Sequence, residues 1–165
     1  MPKQLAFAVL IVAALGCVGC DLAAKSLAET ALRGESPRLL LGGALELRYA
    51  ENTGGFLSLG ARLPVPLRSV AFVVVAAGAL LGIAIVAVRD ASPALPRVLA
   101  VACILGGGAG NLVDRLAFGH VRDFAVLHVG PLGTGIFNVA DLAVTLGCGA
   151  LVVLSWRSGR SRGRC

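Results

Sequence analysis

LRSVAFVVVAAGALLGIAIVAV, from Leu67 to Val88, carries no acidic residue and a single base, Arg68. A bilayer hydrocarbon core of about 30 Å takes roughly 17 to 25 apolar residues in a helix, so this stretch predicts a membrane span. Three further runs of similar character lie at about residues 5–24, 97–116 and 138–156. Composition agrees: 57% of the 165 residues are hydrophobic and only 15% are charged, with mean hydropathy +0.87. Soluble domains average roughly 25% charged residues, so the chain reads as an integral membrane protein. The expected fold is an all-α membrane protein with four transmembrane helices, forming one domain over residues 1–165 whose helices pack on one another in lipid.

The first run, preceded by Lys3 and ending in VGC at Cys20, also has the outline of a lipoprotein signal. A lipoprotein would continue into a soluble domain, whereas three more apolar spans follow here. The cysteines make no disulfide framework, because their number is odd and Cys17, Cys20, Cys103 and Cys148 sit inside apolar runs. They read as small packing residues.

Four spans put both termini on one side. Lys3, Arg89, Arg97 and the tail 157–165, with Arg157, Arg160, Arg162 and Arg164, mark that side as cytoplasmic. The other side holds Lys25, Arg33, Arg38, Arg48, Arg62, Arg68, Arg115 and Arg122, accompanied by eight of the nine acids. A basic tail beside anionic lipid is a solvated anchor rather than a nucleic-acid arm. The partners expected are membrane lipid and no nucleic acid.

Two extracytoplasmic segments remain, at about 28–66 and 117–137. In the first, LLLGGALELRYAEN alternates apolar and polar residues from Leu45 to Tyr49 after a Gly42-Gly43 turn, which predicts a small β-hairpin, a cradle-like element between helices one and two at the membrane surface. In the second, Gly119, Gly130, Pro131, Gly133 and Gly135 predict a mobile loop, with His120 and His128 as surface residues. Helix three runs outward and helix four returns. Asn111, Asp114, Arg115, Asp123, Asn138 and Asp141 should therefore meet at the outer face.

A carboxylate costs about 2.5 to 3.5 kcal/mol at the centre of an inserted helix, so acids close to a bilayer mark chemistry or an ion path. Asp123 and Asp141 can share a proton and activate water. Plainer readings exist for each polar residue. Asn138 and Asp141 fit the N-cap and N3 positions of helix four. Asp114 and Arg115 fit interfacial residues reaching toward headgroups, and Asp123 fits a salt bridge to Arg122 or Arg115. GGGAG lacks a following GK[ST], so Gly106 and Gly110 read as close helix packing. Lys25 and Ser26 are adjacent on a helix and point apart, which disfavours a Ser-Lys dyad. His120 and His128 make no HExxH pair, and neither a metal nor another cofactor is expected.

DLAAK (Asp21–Lys25), ENTGGF (Glu51–Phe56), GNLVDR (Gly110–Arg115), VRDF (Val121–Phe124) and FNVAD (Phe137–Asp141) occur in this order. In motif, spacing and four-span layout the chain resembles the lipoprotein signal peptidases, or signal peptidase II, over essentially its whole length. The resemblance implies that Asp123 and Asp141 are a catalytic pair, that Asn52, Gly54, Asn111, Arg115 and Asn138 surround the substrate cleft, and that Asp21, Lys25 and Asp114 help build it. It implies an aspartyl endopeptidase that acts, as a monomer, on diacylglyceryl-modified prolipoproteins at the outer face of the bacterial inner membrane, cleaving before the lipidated cysteine. The alternative from another class is a small proton- or ion-coupled transporter using Asp123 and Asp141. A third is a scaffold in which the Asn and Asp cluster consists of caps and salt bridges.

Overall fold

The computed structural model describes residues 1–53, 65–90 and 93–162. Four helices form it: α1 (Lys3–Leu32), α2 (Val65–Arg89), α3 (Leu95–Phe118) and α4 (Val139–Arg162), each long and apolar enough to cross a membrane. Helix α3 is the centre on which α1, α2 and α4 pack. Glycine permits the closest approaches. A Cβ on Gly106 would lie 2.6 Å from both the Ala14 carbonyl and the Cys17 Cβ of α1, and one on Gly107 would lie 2.5 Å from the Ala140 carbonyl of α4. Such backbone proximity is how helices associate in lipid, where apolar burial provides no drive of its own. Cys17 packs as the sequence suggests, and Cys17, Cys20, Cys103 and Cys148 are all free.

The apolar run of α1 ends near Ala24, yet the helix continues to Leu32. Asp21, Lys25, Ala28 and Leu32 are buried at spacings of four, three and four residues, which places them in one stripe facing the rest of the protein. Helix α3 stops at Gly119, which takes φ 76° and donates its N–H to the Arg115 carbonyl at 3.1 Å. That left-handed position suits glycine and turns the chain sharply into the sheet.

Beyond the helices lies an antiparallel sheet in the order β1 (Arg38–Leu40), β2 (Leu45–Asn52), β3 (Val121–Val129) and β4 (Leu132–Gly133). The β1–β2 hairpin between α1 and α2 matches the expectation, with Gly42 and Gly43 at φ 66° and 91° in its turn. The region 117–137 does not match the loop expected there. Nine of its residues form β3, because Val121, Phe124, Val126 and Val129 suit a pleated surface and β2 would otherwise present an unpaired edge. Asp123 and His128 thus sit on a strand, and the His128 Nε2 lies 2.8 Å from Glu46 Oε2 rather than in a mobile loop.

The β2–β3 register shifts midway. Leu47 pairs with Ala125 and Ala50 with Asp123, so Arg48 and Tyr49 together oppose Phe124. This bulge sets which side chains of β2 share a face with Asp123. Downstream, the Phe137 N–H donates to the Ala125 carbonyl at 2.8 Å, and the Phe137 carbonyl accepts from Ala125 N at 2.9 Å. The start of α4 is thereby pinned to β3.

The helix contacts give a testable contrast. Gly106→Ala should destabilise the protein by about 1 to 3 kcal/mol, the usual cost of overpacking. Gly82→Ala, whose added Cβ meets nothing within 4 Å, should not. Thermal unfolding of both variants in detergent decides the point, and equal midpoints would refute the close-approach account.

Candidate active site

The site forms where the C-terminal ends of α1 and α3, the start of α4 and the ends of β2 and β3 converge. Asn138 precedes α4 as its N-cap: its Oδ1 accepts from Asp141 N at 2.9 Å, while Asp141 Oδ2 accepts from Asn138 N at 3.2 Å. This reciprocal arrangement is a capping box, so the capping reading of these two residues is correct. It does not exhaust their contacts. The Asn138 amide also reaches outward, its Nδ2 donating to Asp123 Oδ1 at 2.6 Å. One side chain therefore joins both aspartates.

Asp123 is buried to 1% exposure on β3 and takes its second hydrogen bond from Asn52, Nδ2 to Oδ2 at 2.9 Å. The salt bridge to Arg122 or Arg115 weighed for it is not what the structure shows at this residue. Burial raises the Asp123 carboxyl to about 6; the hydrogen bond from Asn52 opposes that rise, the charge of Asp141 adds to it, and the bond from Asn138 opposes it. The two acids thus interact electrostatically, and Asp123 holds a proton well above the ordinary carboxylate range.

Asp141 completes its shell through Asn111, whose Nδ2 donates to Asp141 Oδ1 at 2.8 Å. The other end of the Asn111 amide accepts from Lys25 Nζ at 2.8 Å and from Asn138 Nδ2 at 3.1 Å. Lys25 is fully buried, 2.6 Å from Asp21 Oδ2 and 3.3 Å from Asp114 Oδ2. Asp21 in turn accepts from Ala140 N at 2.8 Å, which ties α1 to the first turn of α4. Gly110 makes room for it: a Cβ there would stand 2.5 Å from Asp21 Oδ2.

Asp114 is fully buried and does not reach toward headgroups as the interfacial reading has it. Instead it accepts from Arg122 N at 3.0 Å and from Arg122 Nη2 at 2.7 Å. A carboxylate on the α3 face nearest β3 is satisfied more completely by that paired arginine than by lipid headgroups. Arg115 is half-buried, donates to the Asn111 carbonyl at 3.4 Å and has Asp141 and Asp123 within electrostatic reach. Gly54 lies outside the described residues, as does Cys165.

Arg122 and Glu29 are the supports that sequence reasoning did not assign. Arg122 donates to Glu29 Oε2 at 3.1 Å and lies over the Phe118 ring at 4.6 Å, so it clamps β3 to both α1 and α3. Hydrogen bonds to Asp114 and Glu29 hold its guanidinium more firmly protonated than usual. The signal was present in VRDF, where an arginine precedes the buried acid, but alternation along β3 sends the two side chains to opposite faces. Among the described residues no cluster of three or more His, Cys, Asp or Glu is placed to hold a metal ion.

The arrangement is two carboxylates on separate elements, joined by asparagine amides. Comparison with known proteins bears on its identity. The family described as signal peptidase (SPase) II matches residues 13–157. A lipoprotein signal peptidase of Sphingopyxis alaskensis is 39% identical over 119 residues, covering 72% of this chain and 67% of that protein. One from Syntrophotalea carbinolica is 47% identical over 60 residues, 36% of this chain and about a third (37%) of the relative's length. Two solved bacterial membrane enzymes share the fold, with TM-scores of 0.78 and 0.82. At 22% and 21% identity, they cover 89% and 96% of this chain and are themselves covered to 92% and 93%. By the extent of the family match, the chain belongs to the signal peptidase II family.

Proposed function

We propose that the protein is an aspartyl endopeptidase that removes the signal peptide from diacylglyceryl-modified prolipoproteins, cleaving before the lipidated cysteine. The observation that carries this reading is Asn138, which hydrogen-bonds both Asp123 and Asp141 and so holds two carboxyl groups in one cluster. An amide is a poor electrophile and needs both a base for water and an acid for the carbonyl oxygen and leaving nitrogen.

In this mechanism Asp123 begins with the proton. Asp141, both of whose oxygens accept N–H bonds, takes a proton from water as its oxygen attacks the scissile carbonyl. Asp123 gives its proton to the carbonyl oxygen. The tetrahedral intermediate collapses with rupture of the C–N bond: one of its hydroxyls returns a proton to Asp123, Asp141 gives its proton to the departing amine, and the starting state with one proton on the pair is restored. Asn52, Asn111 and Asn138 hold the pair, while Arg115 contacts backbone or headgroup oxygens of the substrate.

The signal helix of the substrate would lie among the spans with its acyl chains in lipid. The protein would act as a monomer, its termini cytoplasmic and the pair at the outer interface. The acids support this placement, since they gather at one end of the spans with Asp90 alone at the other. That distribution argues against the transporter alternative, which needs carboxylates along a route across the bilayer.

Two experiments test the reading. Asp123→Asn and Asp141→Asn should each cut the rate of signal-peptide release by at least about 10²-fold, the lower range for lost acid or base catalysis, while the folded protein persists. Gel shift with lipidated and unlipidated prolipoprotein measures this. Cleavage of both substrates alike, or variants as active as the parent, would defeat the proposal.

The second is infrared titration of the protonated carboxyl. Asp123 should lose its proton at about pH 6, with the midpoint lower in Asp141→Asn and higher in Asn52→Ala. Its folded value lies above the ordinary 3.8, so the unfolded chain binds fewer protons at this residue. Its contribution to stability is therefore complete below about pH 4 and lost as the pH rises through about 6. A midpoint that neither variant moves would rule out this coupling.

A further inference from the structure

Helices α1 and α2 both pack on α3, yet they stand apart at the end of the bundle remote from Asp123 and Asp141. Between them lies a cavity of about 1210 Å³. Its body is apolar, walled by Ala6, Leu10, Gly82, Ile83, Val101 and Leu151. The volume exceeds the roughly 300 to 1,000 Å³ of ordinary small-molecule clefts. Along α2 the lining runs from Ala79 to Arg89, a rise of about 15 Å at about 1.5 Å per residue. One leaflet of a core about 30 Å thick is about 15 Å deep, so the cavity matches acyl chains in length as well as in polarity.

Its mouth is basic. Lys3, Arg89 and Arg97 line it together with one acid, Asp90. Arg97 Nη1 lies 3.2 Å from Asp90 Oδ2, which offsets that carboxylate and leaves Lys3 and Arg89 as exposed cations beside an apolar chamber.

We infer that this cavity binds an anionic phospholipid, its acyl chains between α1 and α2 and its phosphate at Lys3 and Arg89. The charge disfavours the other membrane-embedded occupant to hand, a signal peptide, whose leading segment is itself positive and would meet like charge. The inference rests on the bundle and does not depend on the peptidase mechanism.

The test uses the full chain in phosphatidylcholine nanodiscs with increasing phosphatidylglycerol of the same acyl composition, and reads retained lipid by native mass spectrometry. Phosphatidylglycerol should be retained over phosphatidylcholine by about tenfold or more, since each basic residue near a headgroup contributes about fivefold. Lys3→Gln with Arg89→Gln should abolish that preference and leave phosphatidylcholine unchanged. Gly82→Phe, at a position whose Cβ would meet nothing within 4 Å, should reduce retention of both lipids by filling the chamber. Equal retention of the two lipids, or a preference surviving the double substitution, would overturn the inference. Displacement of the lipid by a basic signal peptide would assign the cavity to substrate, and displacement by soluble glycerol phosphate would reduce it to an anion site; either result also overturns it.

Discussion

A single buried ammonium organises the functional end of the molecule. Lys25 lies among Asp21, Asp114 and Asn111, all away from solvent or nearly so. Through those partners it reaches α3, α4 and β3: Asp21 binds the first turn of α4, Asp114 binds Arg122 of β3, and Asn111 of α3 binds Asp141. A buried ion pair adds little net stability compared with apolar packing, because desolvation offsets most of the attraction. Loss of one partner is another matter, costing about 3 to 5 kcal/mol by leaving an uncompensated charge in a place of low polarity. Such a cluster sets the relative positions of α1, α3 and α4 more than it sets how tightly they pack.

The same ammonium decides a chemical detail. Lysine can only donate, so the oxygen of the Asn111 amide must face it, and the amide nitrogen is left for Asp141. Asn138 is oriented by the same logic. The Asp141 N–H requires its oxygen, which turns its nitrogen toward Asp123. Two amides whose faces are otherwise interchangeable are thereby fixed, and each presents a donor to one carboxyl group. Among the described residues neither acid is ion-paired, and N–H groups hold both in place. Asp123 can then keep its proton in a buried setting, while Arg115 stays at a remove from both acids.

Much of this was legible in the chain. Four apolar runs predict four helices, and the Gly42-Gly43 turn with alternation from Leu45 onward predicts the first hairpin. Asn138 and Asp141 read as N-cap and N3 from position alone, and Gly106 and Gly110 as packing residues. The topology of two antiparallel helices suffices to bring Asn111, Asp123, Asn138 and Asp141 together. The character of the 117–137 segment was not legible, since its glycines and its one proline signal turns and its strand has no partner nearby in sequence: β2 lies some seventy residues earlier, Asn52 against Val121. The interfacial alternative for Asp114 fails for a related reason. A charged residue at a helix end looks interfacial until the arginine that buries it arrives from another element.

Sequence by itself determined the membrane class, the number of spans, and which acids gather at one end of them, because hydrophobic length and residue type are local properties. Only the tertiary structure decided which neighbour Asp123 has on β2. In an unbroken register Tyr49 would oppose Asp123 and Glu51 would stand diagonal to it, bringing a second carboxylate beside a buried acid. The bulge at Arg48 and Tyr49 inserts one extra residue, so that Ala50 opposes Asp123 and Asn52 donates to it instead. Side chains alternate with a period of two, and one inserted residue therefore exchanges the two faces of everything beyond it. That insertion depends on how β2 lies against β3, and an eight-residue strand carries no pattern of its own from which to read it.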